Sequence, residues 1–363
     1  MRPDVSDFLP LFLNDTPLLD VRAPVEFAKG SFPGAVNLPL LTDDERHIIG
    51  ITYKAQGQEA AVKLGHELVS GEIKAQRIAQ WLDFAQKHPE GYLFCFRGGM
   101  RSHIVRQWMG DAGAAYPLVK GGYKALRRFL IDSLDNLVGS RNFYVISGRT
   151  GIGKTTLIRE LQDSIDIEAI ANHRGSTFGR KLTPQPSQVD FENALSIRLL
   201  RLCHATDKPV FMEDEGRLVG RCAMPLNLLA GLQLWPAIIL EDTLENRVSN
   251  VQKDYITDLL AEYEAAYGAD KGFAEFAQFL KQSLHRIRKR LGGLQHDKVG
   301  AMMDQALSLQ AETRDESLHR IWIEELLVRY YDPMYDYQFA QKEGRVVFKG
   351  DRAAVLDWCR SVR

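Results

Sequence analysis

The stretch GRTGIGKTT, Gly148 to Thr156, constrains this chain more than any other. It satisfies G-x-x-x-x-G-K-[ST], directly follows the apolar run FYVIS and precedes the helical KTTLIRELQD. A strand must end there, a glycine loop must turn, and a helix must begin. Gly148, Gly151 and Gly153 let the backbone wrap a phosphate chain, with Arg149, Thr150, Ile152 and Thr156 completing the loop. Lys154 would contact the terminal phosphates, and Thr155 would ligate magnesium where a metal is bound. The motif specifies a diphosphate or polyphosphate cradle and leaves hydrolysis open.

A second glycine loop lies upstream. In YLFCFRGGMRS, Tyr92 to Ser102, a short apolar run flanked by glycine reads as a central parallel strand, and Cys95 falls where it runs out into the loop. Ligands in open α/β sheets bind at such carboxyl ends. Arg97, Gly98, Gly99 and Met100 form the turn, whose glycines allow amides to face an anion, and a helix starting near Ser102 adds its dipole. A cradle of this kind favours the thiolate, the reactive form of cysteine. Arg101 could grip an oxyanion with two parallel hydrogen bonds.

The rest of the chain fits two α/β domains, 1–135 and 136–363. In the first, strand signals (PLLDVR, GAVNLPL, YLFCF, YPLVKGG) alternate with helical ones (PVEFAKG, the stretch 57–88 broken near Ser70–Gly71, SHIVRQWMGDAG, YKALRRFLIDSL). That alternation implies a parallel sheet. After DNLVGSR, the strand candidates are NFYVIS, IEAI, PVFMED, AIILED and RVVF, with helices dominating from about Thr243 to Arg329. The formal net charge is −1, so binding to nucleic acid must use a local patch. Cysteines 95, 203, 222 and 359 show neither C-x-x-C pairing nor zinc spacing and read as reduced thiols of a cytosolic protein. PLNLLAGLQLWPAIIL falls short of a membrane span and reads as core.

Further candidates surround the loops. Glu213, Asp214, Glu215 and Arg217 follow a strand, and Asp214 and Glu215 are the better choices for metal or water contacts. Arg174 and Ser176 in NHRGSTFG suit a loop facing a phosphorylated substrate. Gly65 interrupts a good helix, consistent with helix packing or with close approach of a substrate. KQSLHRIRKRLGG concentrates Arg286, Arg288, Lys289 and Arg290, candidate contacts to a phosphate backbone, and RYYDPMYDYQ offers four tyrosines for core packing or base stacking.

LLDVRAPVEFAKGSFPGAVNLPL, Leu18 to Leu40, resembles the first signature of rhodanese domains, which carry sulfur or selenium on a cysteine in the position of Cys95. Sulfur-transferring rhodaneses have C-x-x-G-x-R-S; here the run Cys95-x-x-Gly98-x-x-Arg101-Ser102 is one residue longer and is similar to the phosphate-sized loop of cysteine phosphatases. Together with GITYKAQGQEAAVKLGHELV, CFRGGMRS, SGRTGIGKT, HRGSTFG and EDEGRLVG, the chain resembles the tRNA 2-selenouridine synthase family over nearly its full length. The resemblance implies an N-terminal rhodanese-like parallel-sheet domain plus a C-terminal P-loop NTPase-like α/β domain with added helices. It also implies a cytoplasmic enzyme that replaces the sulfur of wobble 2-thiouridine in tRNA by selenium. Selenophosphate would be the donor and geranyl diphosphate the source of an S-geranylated intermediate, with no tightly bound cofactor and no membrane. Cys95 would handle the selenium step, as a selenosulfide, and the loop 148–156 would hold the prenyl diphosphate. Selenophosphate synthetase is a further partner the resemblance allows. An ATP-driven sulfurtransferase or kinase fusion, a cysteine phosphatase and a non-catalytic binding module are the competing readings.

Overall fold

The computed structural model describes residues 2–340 and 342–362. They form two compact units: Met1–Gly139 with Ser187–His204, and Ser140–Pro186 with Ala205–Arg363.

In the first unit, Leu18–Asp20 lies between Val36–Asn37 and Tyr92–Phe94, all parallel, with Leu19 paired to Leu93 and Asp20 to Phe94. Parallel bridges from Leu93 to Leu118 and from Val5 to Val119 continue the sheet beyond its named strands. Leu19, Leu93 and Val119 are fully buried, as strands covered on both faces must be. The break expected near Ser70–Gly71 separates the helices Gln58–Leu68 and Gly71–Lys87. Asp43–Gln56 is a further helix, opened by a capping box in which Thr42 accepts from the Glu45 amide and the Glu45 carboxylate accepts from the Thr42 amide.

One helix of the first unit comes from far along the chain. Gln188–Ala205 buries Ile197 and Leu200 among Leu11, Phe32, Leu126 and Leu130. Polar bonds fix it: Ser31 N–H donates to Asp190 at 2.7 Å, Asn193 Nδ2 donates to Ser31 O at 2.6 Å, and Arg127 Nη1 donates to Asn193 Oδ1 at 2.8 Å.

The second unit is a five-stranded parallel sheet in the order Val346–Gly350, Ala237–Leu240, Phe143–Ser147, Val210–Glu213, Ser164–Ile165. The glycine loop therefore leaves the central strand. The sequence reading of IEAI as a strand is corrected: Ile167–Ile170 is a helical turn, because Asp166 caps it by accepting from Ala169 N–H at 2.7 Å. The strand lies just before it, at Ser164–Ile165. The added helices, from Leu244 to Ala340, enclose their own core around Ile256, Phe276, Leu280, Val299 and Trp322. Among the described residues, no helix is long and apolar enough to cross a membrane.

At the end of strand Leu18–Asp20, Asp20 and Arg22 form a buried ion pair. Arg22 Nε lies 2.9 Å from Asp20 Oδ2, Nη2 also donates to Gly30 O at 2.9 Å, and the guanidinium stacks 3.8 Å from the Tyr123 ring. Removing one partner of such a pair leaves the other desolvated and alone. Arg22→Met is therefore expected to cost about 3 kcal/mol in urea denaturation of the first unit, more than Asp20→Asn combined with Arg22→Met, which removes both charges.

Candidate active sites

Strand Tyr92–Phe94 delivers Cys95 to the carboxyl end of the first sheet, and helix Met100–Asp111 begins just beyond it. Gly98 has φ +64°, and Gly121 and Gly122 opposite have φ +75° and +60°. A Cβ on Gly122 would collide with the Cys95 carbonyl oxygen. The close approach has a purpose: Tyr123 N–H donates to Cys95 O at 2.9 Å and Lys124 N–H to Phe96 O at 3.0 Å. With these carbonyls captured, no acceptor among the described residues meets the amides of Phe96 through Arg101. Successive free amides of this sort form an anion nest.

Cys95 is buried at this nest. Its Sγ lies 3.3 Å from Ser102 Oγ and 3.9 Å from Gly99 O, and Ser102 Oγ donates to Gly99 O at 2.8 Å. Arg101 spends its fork on Glu26, with Nη1 to Oε2 at 2.5 Å and Nη2 to Oε1 at 3.1 Å, and Arg46 Nε adds a contact at 3.1 Å. Burial pushes the Glu26 carboxyl up, but Arg101 outweighs it and holds the group below its ordinary value. Arg101 thus reaches the nest as a charge braced by a carboxylate. Glu26 is a site residue that the sequence reading passed over, although the helical PVEFAKG contains it. Arg97, Met100 and Arg101 also edge a mainly apolar cavity of about 650 Å³, whose wall includes Gly65.

The second site follows the same plan. Gly151 and Gly153 have φ +79° and +83°, and a Cβ on Gly151 would come within 2.7 Å of Arg247 O. Helix Leu244–Gln252 takes the loop's carbonyls: Arg247 Nε donates to Thr150 O at 3.0 Å and Asn250 Nδ2 to Gly151 O at 2.8 Å. Among the described residues, the amides of Gly151, Gly153, Lys154 and Thr155 meet no protein acceptor. Arg247 is itself buried and held by Asp332, with Nη2 to Oδ1 at 2.6 Å. Neither residue is flagged by a local motif, because both arrive from about a hundred positions away.

The loop opens on a cavity of about 720 Å³. Lys154 Nζ donates to Gly148 O at 2.9 Å and lies 5.6 Å from the Tyr335 ring. Burial pulls the Lys154 ammonium down, but Tyr335, Glu215, Glu168 and Glu213 outweigh it and raise it above an ordinary lysine. Thr155 Oγ1 donates to Glu168 Oε2 at 2.9 Å. Burial, reinforced by neighbouring carboxylates, raises Glu168, Glu215 and Glu213, the last to about 8. Glu213 Oε1 has no hydrogen-bond partner among the described residues. Gly175 of the HRGSTFG loop packs so closely on Glu168 that a Cβ there would collide with its carboxylate.

The remaining candidates divide. Arg174, Ser176, Asp214, Glu215 and Arg290 line the cavity, whereas Arg217, Arg286, Arg288 and Lys289 do not. Arg174 Nη1 donates to Asp254 O at 2.5 Å, and Ser176 Oγ to Tyr255 Oη at 2.9 Å. Asp214 accepts from Lys342 and from Ser147 Oγ, so its carboxylate is already engaged. Arg149 pairs with Asp336. Arg286 Nη2 donates to Thr177 O at 3.0 Å, while Arg288 and Lys289 stand exposed on the short helix Arg288–Leu291. Two π-helical turns, Lys253–Thr257 and Leu327–Tyr331, bring Tyr255, Tyr330 and Tyr331 to the cavity wall; such turns occur frequently at functional sites. Glu168 is a cavity residue that local sequence reasoning missed, whereas Tyr335 belongs to the tyrosine-rich stretch RYYDPMYDYQ. The apolar helix Leu226–Leu234 packs instead: Leu228 and Leu232 are buried, and Trp235 beyond it stacks 4.1 Å from Phe143.

A family model described as the tRNA 2-selenouridine synthase AAA domain matches residues 141–363. A tRNA 2-selenouridine synthase of Marinobacter nauticus is 54% identical over 360 residues, covering 99% of this chain and 98% of the relative. Relatives of the same name from Bordetella bronchiseptica and Pseudomonas fluorescens (strain Pf0-1) are 52% and 51% identical, each over 361 residues, with the same coverage of both chains.

The buried carboxylates make the second unit sensitive to pH. A carboxyl raised from 4.5 to about 8 on folding keeps its proton in the folded chain where the unfolded chain has lost it. Stability must then fall as pH rises between those values, by at most about 1.4 kcal/mol per pH unit for one group. Chemical denaturation at pH 5, 6, 7 and 8 should show this decline, and Glu213→Gln should flatten it.

Proposed function

The chain belongs to the tRNA 2-selenouridine synthase family, and on that premise we propose that it exchanges the sulfur of a wobble 2-thiouridine for selenium in two steps, one at each anion loop. The observation that carries this reading is that both loops offer free backbone amides beside a reactive side chain, Lys154 in one and Cys95 in the other.

The first step belongs to the loop 148–156. A thiocarbonyl sulfur is a poor leaving group, and alkylation corrects that. The sulfur attacks the first carbon of geranyl diphosphate, the carbon–oxygen bond breaks, diphosphate departs with the electron pair, and the uracil N3 proton passes to water. Lys154 and the loop amides stabilise the charge on the departing diphosphate. Tyr255, Tyr331, Met334 and Tyr335 supply an aromatic and thioether wall for the hydrocarbon. The Thr155 hydroxyl beside the Glu168 carboxylate fits magnesium, which keeps most of its waters and takes few protein ligands; bound there it would neutralise part of the diphosphate charge. Arg290 at the cavity, with exposed Arg288 and Lys289 beside it, would contact the tRNA backbone.

The second step belongs to the Cys95 nest, which takes the phosphate of selenophosphate. Selenophosphate carries selenium already fully reduced, so a selenosulfide on Cys95 would require an oxidant. Passing the phosphoryl group to the Cys95 thiolate requires none: the selenium–phosphorus bond breaks, a sulfur–phosphorus bond forms, and selenium leaves with the electron pair. The released selenide adds to C2, geranyl thiolate departs and takes a proton, and water frees phosphate from Cys95. The loop length, which matches a phosphate group, supports this order. Selenide is a weak enough base to leave without a general acid, whereas a phosphatase acting on alkyl phosphates needs one.

Mass spectrometry of tRNA nucleosides from cells carrying single substitutions tests the division of labour. Cys95→Ala should abolish 2-selenouridine and retain S-geranyl-2-thiouridine, and Lys154→Ala should abolish both. Normal selenouridine in Cys95→Ala cells would refute the cysteine's role. A requirement for tRNA-stimulated ATP hydrolysis would replace the prenyl donor by a nucleotide.

A further inference from the structure

We propose that the apolar cavity beside the Cys95 loop binds the hydrocarbon chain on the uridine sulfur, so that the selenium step selects alkylated thiouridine. This rests on the two-step reading above and adds a binding site to it.

The cavity measures about 650 Å³ and is lined by Leu41, Ile49, Val62, Val69, Ile104 and Trp108. Volume and lining fall within the range of pockets that enclose small ligands, which are mostly apolar with a few placed polar groups. Arg97 and Arg101 join it from the loop that forms the nest, and Gln58 and His66 are further polar groups in its wall. An occupant must therefore be apolar over most of its length and end beside a bound anion. A uracil ring alone, polar along its edges, would leave the aliphatic wall wet. A uridine carrying a branched alkyl chain on its sulfur meets both demands, because its reacting C2 lies next to that sulfur and hence next to the nest.

The walls point the same way. Helix Asp43–Gln56 has no fully buried residue, and the adjoining helix Gln58–Leu68 has only Ala61. Ile49 packs in part on the core and, with Val62, lines the cavity from these two helices, while Ile48, Ile51 and Tyr53 of the first helix stay exposed. At Gly65 a Cβ would meet only Ile49 Cδ1, at 3.5 Å, so the glycine is not demanded by packing and leaves bare backbone toward the space. An alkyl chain laid between the helices would supply the apolar contact they lack.

The test uses the full-length enzyme, selenophosphate and synthetic anticodon stem-loops carrying S-geranyl-2-thiouridine, S-methyl-2-thiouridine or 2-thiouridine. Wild type should selenate the S-geranyl RNA with kcat/KM at least about tenfold above the S-methyl RNA, a difference of about 1.4 kcal/mol. Val62→Trp, which fills the cavity, should remove that preference by lowering kcat/KM for the S-geranyl RNA alone. An unchanged kcat/KM for the S-methyl RNA, selenated in the same unit, reports that the variant is folded there. Equal wild-type rates on the two alkylated RNAs would overturn the proposal, as would an undiminished S-geranyl rate in folded Val62→Trp. Direct selenation of 2-thiouridine RNA with neither alkylated RNA accepted would sink the two-step reading, and the pocket assignment with it.

Discussion

A loop can bind an anion through its backbone only if its carbonyl groups are held elsewhere. Every peptide that offers a donor also carries an acceptor of equal strength. In both units a neighbouring helix solves this. The amides of Tyr123 and Lys124 take the carbonyls of Cys95 and Phe96, and the side chains of Arg247 and Asn250 take those of Thr150 and Gly151. The positive φ angles of Gly98, Gly122, Gly151 and Gly153 follow from that arrangement, as does the close approach that excludes a side chain at Gly122. Cys95 and Lys154 come last in this hierarchy: each stands beside free amides because the carbonyls around them are already held.

What was legible in the sequence was local. The strand, the glycines and the lysine of GRTGIGKTT are contiguous, as are Cys95 and its turn, and both loops lie at the carboxyl ends of parallel strands as expected. What was hidden depends on partners distant in the chain. Arg101 could be read as a free fork because its brace, Glu26, lies 75 residues away. Glu168 was passed over because IEAI looks β-prone until Asp166 caps it as a helical turn. The helix Asp43–Gln56 left a readable mark, the Thr42–Glu45 capping box, in a stretch whose apolar residues find little to bury against.

The two sites handle charge differently. The Cys95 nest sets one carboxylate against two arginines, Glu26 against Arg101 and Arg46, and so keeps a net positive charge at its rim. Around the phosphate loop, Glu168, Glu213 and Glu215 crowd one lysine in a desolvated space, which raises all three carboxyls. Such crowding costs stability, and its relief by a bound cation or by protonation is a property that a merely structural strand end would not need.

The helix Gln188–Ala205 gives the chain an order of assembly. Ile197 and Leu200 belong to the core of the first unit, yet they are synthesised after the phosphate loop and the strand Ser164–Ile165. On a ribosome, a domain made of contiguous sequence can close as soon as its last residue emerges. Here the sheet that carries Cys95 has emerged by residue 139 but lacks one of its covering helices until His204 appears. The first unit therefore completes its core only when part of the second has already been made, and no single cut in the chain separates the two intact.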